Sequence, residues 1–246
     1  NIAPPIAENA DQQHCQLHFY AQTSNESLPF AAAMFDQVTA QYGVEYGDLD
    51  LTLREICRVL KPGGQLNWVC HWQPGTVVQQ AMREVEDIAY FQSLKLDECM
   101  QALVHLQIRD GQFIPNSHHS TAQSRERITL QAALNQAFER LRVRGHTKQS
   151  NLNMFLQNLA HLYQFREQQA PAMVLAKLAE CGQQLEFHRL RLQAMADAAL
   201  TPTRRDALLN NMKTLGFQVI SHGELIESRE SKVLGYHLHA GFGKNV

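Results

Sequence analysis

The chain has 246 residues, 44% of them hydrophobic and 19% charged, with a formal net charge of −2. That is the balance of a globular protein with room for one large domain, or for a core carrying a substantial insertion. So small a charge draws in neither nucleic acid nor an anionic membrane surface. Apolar runs such as residues 31–35 are far too short to span a bilayer, and the opening residues do not read as a secretory leader. A cytoplasmic location is therefore expected. The cysteines, Cys15, Cys57, Cys70, Cys99 and Cys181, are scattered without a Cys-x-x-Cys pair and read as reduced thiols, not as a disulfide frame or a metal site.

In chain order, Pro4 and Pro5 sit where the first turn of a helix tolerates them, and the helix continues to Asp11. The alternation Cys15, Leu17, Phe19 predicts a strand over 14–22, and a shorter strand is expected over 35–40. Leu49, Leu53, Ile56 and Leu60 fall on one face of a helix over 49–60. Lys61-Pro62-Gly63-Gly64 stops that helix, and residues 65–71 follow as a strand. Alternation of strand and helix at this spacing predicts a parallel, doubly wound sheet.

From Thr76 to Leu200 the composition turns to Leu, Ala, Gln, Glu and Arg, all strong helix formers. Helices are expected over 76–94, 96–107, 121–142, 150–168 and 171–200, with no internal repeat. Thr201-Pro202 then opens a helix as cap and first-turn proline, and Gly216 closes it. Strands are expected over 217–221 and 232–240 on either side of a polar turn at 227–231.

Four local signals carry the chemistry, in order: Asn1-Ile2-Ala3-Pro4-Pro5, then Ser24-Asn25-Glu26-Ser27-Leu28-Pro29-Phe30, then Phe35-Asp36-Gln37-Val38, then Leu53-Arg54-Glu55-Ile56-Cys57-Arg58-Val59-Leu60-Lys61-Pro62-Gly63-Gly64. Together they resemble the class I S-adenosylmethionine (SAM)-dependent methyltransferases, whose pattern runs from an acidic residue ending a strand through "DA-x-x-LPF" and "FD-x-V" to "L-x-E-x-x-R-V-L-K-P-G-G". Arg58 to Gly64 matches the last without a gap. Gly216-Phe217-Gln218-Val219 and Leu234-Gly235-Tyr236-His237-Leu238 look like that family's closing strands.

The resemblance implies an α/β fold: a Rossmann-like methyltransferase sheet built from residues 1–72 and 201–246, with a large all-helical insertion over 73–200 acting as a lid or a dimer contact. It implies SAM as cofactor, with Asn1 on the ribose hydroxyls, Ile2 against adenine, Ser24 and Asn25 at the adenine edge, and Gln41 and Tyr42 facing cofactor and substrate. It also implies that the family's glycine-rich loop and central strands lie upstream of Asn1, leaving a gap in the middle of the sheet between the two halves of this chain. Asn1 and Ser24 replace acidic residues of the pattern, which weakens each charge-assisted hydrogen bond by about 1–2 kcal/mol.

His71 ends the strand after Gly64 at the rim where ligands of open α/β sheets bind and is the candidate base, weighed against a strand-end histidine bonded to backbone. Trp72 either stacks on substrate or packs. The pair His118-His119 has no Cys, Asp or Glu at ligand spacing, so no metal is expected. Arg140, Arg142, Arg144, His146 and Lys148 read as a solvated helix end, with phosphate or RNA binding the sharper alternative. The resulting expectation is methyl transfer to a small molecule; the alternative is a methyltransferase-like interaction protein with a weakened SAM site.

Overall fold

A computed structural model describes residues 16–114, 120–143 and 151–243. The expected helix through Asp11 and the residues Asn1, Ile2, Cys15, His118, His119, Arg144, His146 and Lys148 lie outside them. Strand β1 (Phe35–Gln41) leads through a short 3-10 turn (Val44–Tyr46) into helix α1 (Leu49–Val59). The Asp48 side chain caps α1 by accepting from Asp50 N and Leu51 N, each at 2.9 Å. Thr52, Leu53, Ile56 and Val59 form its buried face. Leu60 then turns extended and opens β2 (Leu60–Cys70).

The Lys-Pro-Gly-Gly segment ends the helix as expected but lies within β2. Phe35 still pairs with Leu60, the next pair is Gln37 with Gln65, and residues 61–64 form the excursion between them. Gly63 adopts a φ of 85°, and a side chain on Gly64 would begin 2.9 Å from Lys61 O and 3.2 Å from Asp36 O. Both glycines are therefore required by backbone geometry.

Helix α7 (Pro202–Thr214), capped by Thr201, precedes β5 (Phe217–Glu227) and β6 (Lys232–Phe242). The sheet order is β1-β2-β6-β5. Only β1 and β2 are parallel; β6 is antiparallel to β2, and β5 to β6. Leu66, Trp68 and Cys70 of β2 stand beside Ala240, Leu238 and Tyr236 of β6. This face packs on Leu53 and Ile56 of α1 and on Leu208 and Met212 of α7 in one core.

Three expectations are corrected here. The sheet is mixed, and α1 and α7 cover the same face, so the described residues are not doubly wound. The two halves of the chain join directly through β2 and β6 with no gap between them, whereas the outer edge of β1 carries no strand among the described residues. Residues 16–22 form no strand; Leu17 and Phe19 are exposed, so their alternation has no buried face to serve.

Between β2 and α7 lie helices α2 (Thr76–Ser93), α3 (Leu96–Leu106), α4 (Thr121–Val143), α5 (Asn151–Gln164) and α6 (Pro171–Ala198). They pack around a second core that includes Phe91, Met100, Leu103, Leu159 and Leu178. This segment is not all-helical: β3 (Ile108–Arg109) and β4 (Gln112–Phe113) make a hairpin over Asp110 and Gly111, whose φ values are 51° and 74°. Asp-Gly is the signal for such a turn. The two ends of the segment meet: Leu200 N donates to His71 O at 2.8 Å and Gln73 N to Leu200 O at 3.0 Å. No described helix is long and apolar enough to cross a membrane.

Candidate active site

Because β1 and β2 are parallel and in register from Gln37/Gln65 to Gln41/Val69, both deliver the chain to the same rim of the sheet. Tyr42 N donates to Val69 O at 2.8 Å, which holds the segment after β1 against β2. The 3-10 turn then directs Glu45 inward, where its side chain is fully buried. Glu45 Oε1 accepts from His71 N at 2.9 Å and faces His71 Nδ1 at 2.7 Å.

Burial favours the neutral form of Glu45, but hydrogen bonds from the His71 side chain and backbone outweigh it and hold the carboxyl below its ordinary pKa. A carboxylate only accepts, so Nδ1 carries the hydrogen and Nε2 is the basic nitrogen of the neutral ring. Glu45 Oε2 is buried without a partner among the described residues.

Two tyrosines wall the imidazole. The Tyr42 ring lies over it with centroids 4.6 Å apart, and Tyr46 meets it edge-on at 6.0 Å. Burial, and then the Glu45 charge, raise both phenols, so they stay protonated. Tyr42 fits because residue 235 is glycine: a Cβ there would begin 3.1 Å from the Tyr42 ring and 2.6 Å from Cys70 O.

The methyltransferase-like motif residues act through contacts with one another. Arg58 donates to Leu28 O at 3.0 Å and Phe30 O at 2.7 Å while Glu55 accepts from Leu28 N at 3.0 Å. Arg58 and Glu55 also pair at 2.7 Å, so the last motif clamps the Leu-Pro-Phe segment. Lys61 meets both carboxylate oxygens of Asp36, at 2.8 and 2.9 Å. Glu26 accepts from Asp48 N at 2.7 Å, bringing the turn that holds Ser24 and Asn25 against the segment after β1.

Of the residues singled out from sequence, His71 and Tyr42 come together, and Gln41 stands exposed at the end of β1. Ser24 and Asn25 are exposed, and Ser24 Oγ accepts from Glu26 N at 3.2 Å. Asn25 and Gln41 offer carboxamides that both donate and accept, the chemistry that an adenine edge or ribose hydroxyls require. Trp72 turns away: it is buried, donates from Nε1 to Glu224 at 2.9 Å and packs on Tyr236. Glu45 is the buried partner of His71 that sequence reasoning missed. Its one signal was an acidic residue shortly after the "FD-x-V" strand.

Residues 1–68 match a family described as "Methyltransferase domain". The ubiquinone/menaquinone biosynthesis C-methyltransferase of Shewanella oneidensis is 38% identical over 76 residues, 30% of this chain and 29% of that protein. Its namesake in Francisella tularensis subsp. tularensis is 46% identical over 48 residues, 19% of each. The chain thus spans less than a third of the length of the curated relatives it matches. The solved YcgJ protein of Bacillus subtilis aligns at 18% identity with a TM-score of 0.25, covering 91% of this chain and 70% of that one, a likeness too low to carry an argument.

Proposed function

With its first 68 residues matching a methyltransferase domain family, we propose that the protein transfers a methyl group from SAM to a small-molecule acceptor, with His71 as the base and Glu45 as the residue that sets it. The observation that carries this reading is the Glu45–His71 pair at the carboxyl rim of the parallel strands β1 and β2, where open α/β sheets bind their ligands. A buried carboxylate holding one imidazole tautomer is the arrangement of a general base.

SAM supplies a methyl group already activated on sulfonium. The protein's own work is to align the acceptor, exclude water and remove one proton. His71 Nε2 receives that proton from the acceptor's nucleophilic atom, and the Glu45 carboxylate balances the positive charge that appears on the ring. Asn25, Ser24 and Gln41, with Asn1 and Ile2 by resemblance, are the residues that would hold the nucleoside.

Residues 73–200 are proposed as an insertion over this rim that works as a lid. Support comes from the separate cores of the sheet and the helices and from the meeting of the segment's ends beside His71. The reading as a non-catalytic interaction protein gains nothing from this geometry, since such a protein has no need of a buried Glu–His pair at the rim.

Calorimetric titration with SAM tests the assignment. Saturable binding, weakened by Asn25→Ala, is expected. No heat and no thermal shift at millimolar SAM would overturn it.

A further inference from the structure

Beside the Glu45–His71 pair, a cleft of about 380 Å³ opens between the 3-10 turn, α2 and α6, within the size range of small-ligand sites. Tyr46 lines it, and the same ring meets His71. Val77, Leu192 and Met195 supply apolar wall, and Glu84 and Arg191 supply opposite charges.

Those two charges are spaced by a single imidazole ring. Arg191 Nη2 lies 2.9 Å from His188 Nδ1, and His188 Nε2 lies 3.2 Å from Glu84 Oε1. Guanidinium has no acceptor, so Nδ1 accepts and the ring hydrogen on Nε2 points at Glu84. The cleft therefore presents a cation and an anion held apart by one imidazole ring and a hydrogen bond on either side of it. Arg191 stands near enough for its charge to act on the Tyr46 hydroxyl.

A ligand with only one charge matches one of these groups and leaves the other to be desolvated without compensation. A ligand carrying both charges a few atoms apart matches both. We infer that this cleft binds a small zwitterion of the α-amino-acid type: carboxylate on Arg191, ammonium on Glu84, and a flat apolar arm along Val77, Leu192 and Met195 toward Tyr46. As the methyl-acceptor site it rests on the function proposed above; as a binding site it does not.

Titration of the full chain with L-tyrosine, tyramine and 3-(4-hydroxyphenyl)propionate, without SAM, tests the inference. L-tyrosine is expected to bind at least about tenfold more tightly than either single-charge analogue. Glu84→Gln should erase its advantage over the propionate. Arg191→Gln, at an exposed position, should erase its advantage over tyramine and leave the fold unchanged. Equal binding of the three compounds, or no heat with L-tyrosine, overturns the inference. SAM titration of the same samples separates the two readings. Intact zwitterion selectivity without SAM binding removes the activity and keeps the cleft. SAM binding without selectivity removes the cleft alone.

Discussion

Glu45 Oε1 faces two nitrogens of one residue, His71 N at 2.9 Å and His71 Nδ1 at 2.7 Å. A single buried oxygen thereby fixes both the end of β2 and the orientation of the ring beyond it. Backbone and side chain of His71 cannot move independently while that oxygen is in place. Rigid placement of a base by a buried partner is what general-base catalysis requires.

Glu45→Gln preserves the shape and removes the charge that would balance protonated His71. We expect kcat to fall about 10- to 100-fold with KM changed little. Glu45→Ala leaves a backbone N–H and Nδ1 without their acceptor and should cost about 2–4 kcal/mol of stability. Steady-state kinetics and urea melts separate the two effects. A Gln variant with unaltered kcat would show that the Glu45 charge does not support His71 as a base.

The motif clamp predicts a dependence on pH. The Arg58 guanidinium, followed by the Leu28 N–H, holds the Glu55 carboxyl at about 2, against its usual 4.5. Its folded-state pKa lies below the unfolded value, so the stabilisation is complete above about 4.5 and is lost as pH falls through about 2. Urea midpoints measured from pH 6 down to pH 2 should decline, and Glu55→Gln should flatten the decline. Arg58→Lys cannot serve Glu55, Leu28 O and Phe30 O at once, so it should loosen the turn carrying Ser24 and Asn25. SAM affinity is then expected to drop about three- to tenfold.

Gly235 predicts a contrast between neighbouring strands. An added Cβ there would begin 2.6 Å from Cys70 O and 3.1 Å from the Tyr42 ring, so β6 or Tyr42 must shift. Gly235→Ala should cost about 1–3 kcal/mol and lower kcat through the Tyr42–His71 stack. At Gly223, on β5, the nearest atom would be His237 Cε1 at 3.5 Å, an ordinary contact. Gly223→Ala should therefore stay within about 1 kcal/mol of the wild type. Equal losses at the two sites would refute the packing argument.

Much of this was legible where local chemistry decides the outcome. The Thr201 cap, the break at Lys61-Pro62-Gly63-Gly64 and the apolar face of α1 follow from residues a few positions apart. The sequence reading failed where distant partners decide. Strand β5 runs on past Ser221 because β6 pairs with it as far as Glu227. A register shift between Val219 and Ser221 resets the alternation that would have revealed its length. Glu45 owes its role to a partner 26 residues away, and no local pattern announces that. The direct pairing of β2 with β6 was missed for the same reason: strand order is a tertiary choice, and the motifs fixed only the strands themselves.

The meeting of the helical segment's ends yields the furthest-reaching prediction. Leu200 N reaches His71 O, and Gln73 N reaches Leu200 O, so a short linker can bridge the sites where the segment leaves and rejoins the sheet. The sheet core draws on residues up to Trp72 and from Leu200 onward, and the helical core on Ile88 to Leu192. Replacing residues 74–199 by a short Gly-Ser linker closes a far smaller loop and so carries a lower closure entropy. The replacement also removes the hydrogen bond from Val233 N to Thr76 Oγ1 at 3.3 Å, worth about 1 kcal/mol. The shortened chain should unfold cooperatively in urea, keep whatever SAM affinity the full chain has, and cease to bind L-tyrosine once Glu84 and Arg191 are gone. Non-cooperative unfolding would mean that the helices and the sheet form one folding unit and that the helical segment is not an insertion.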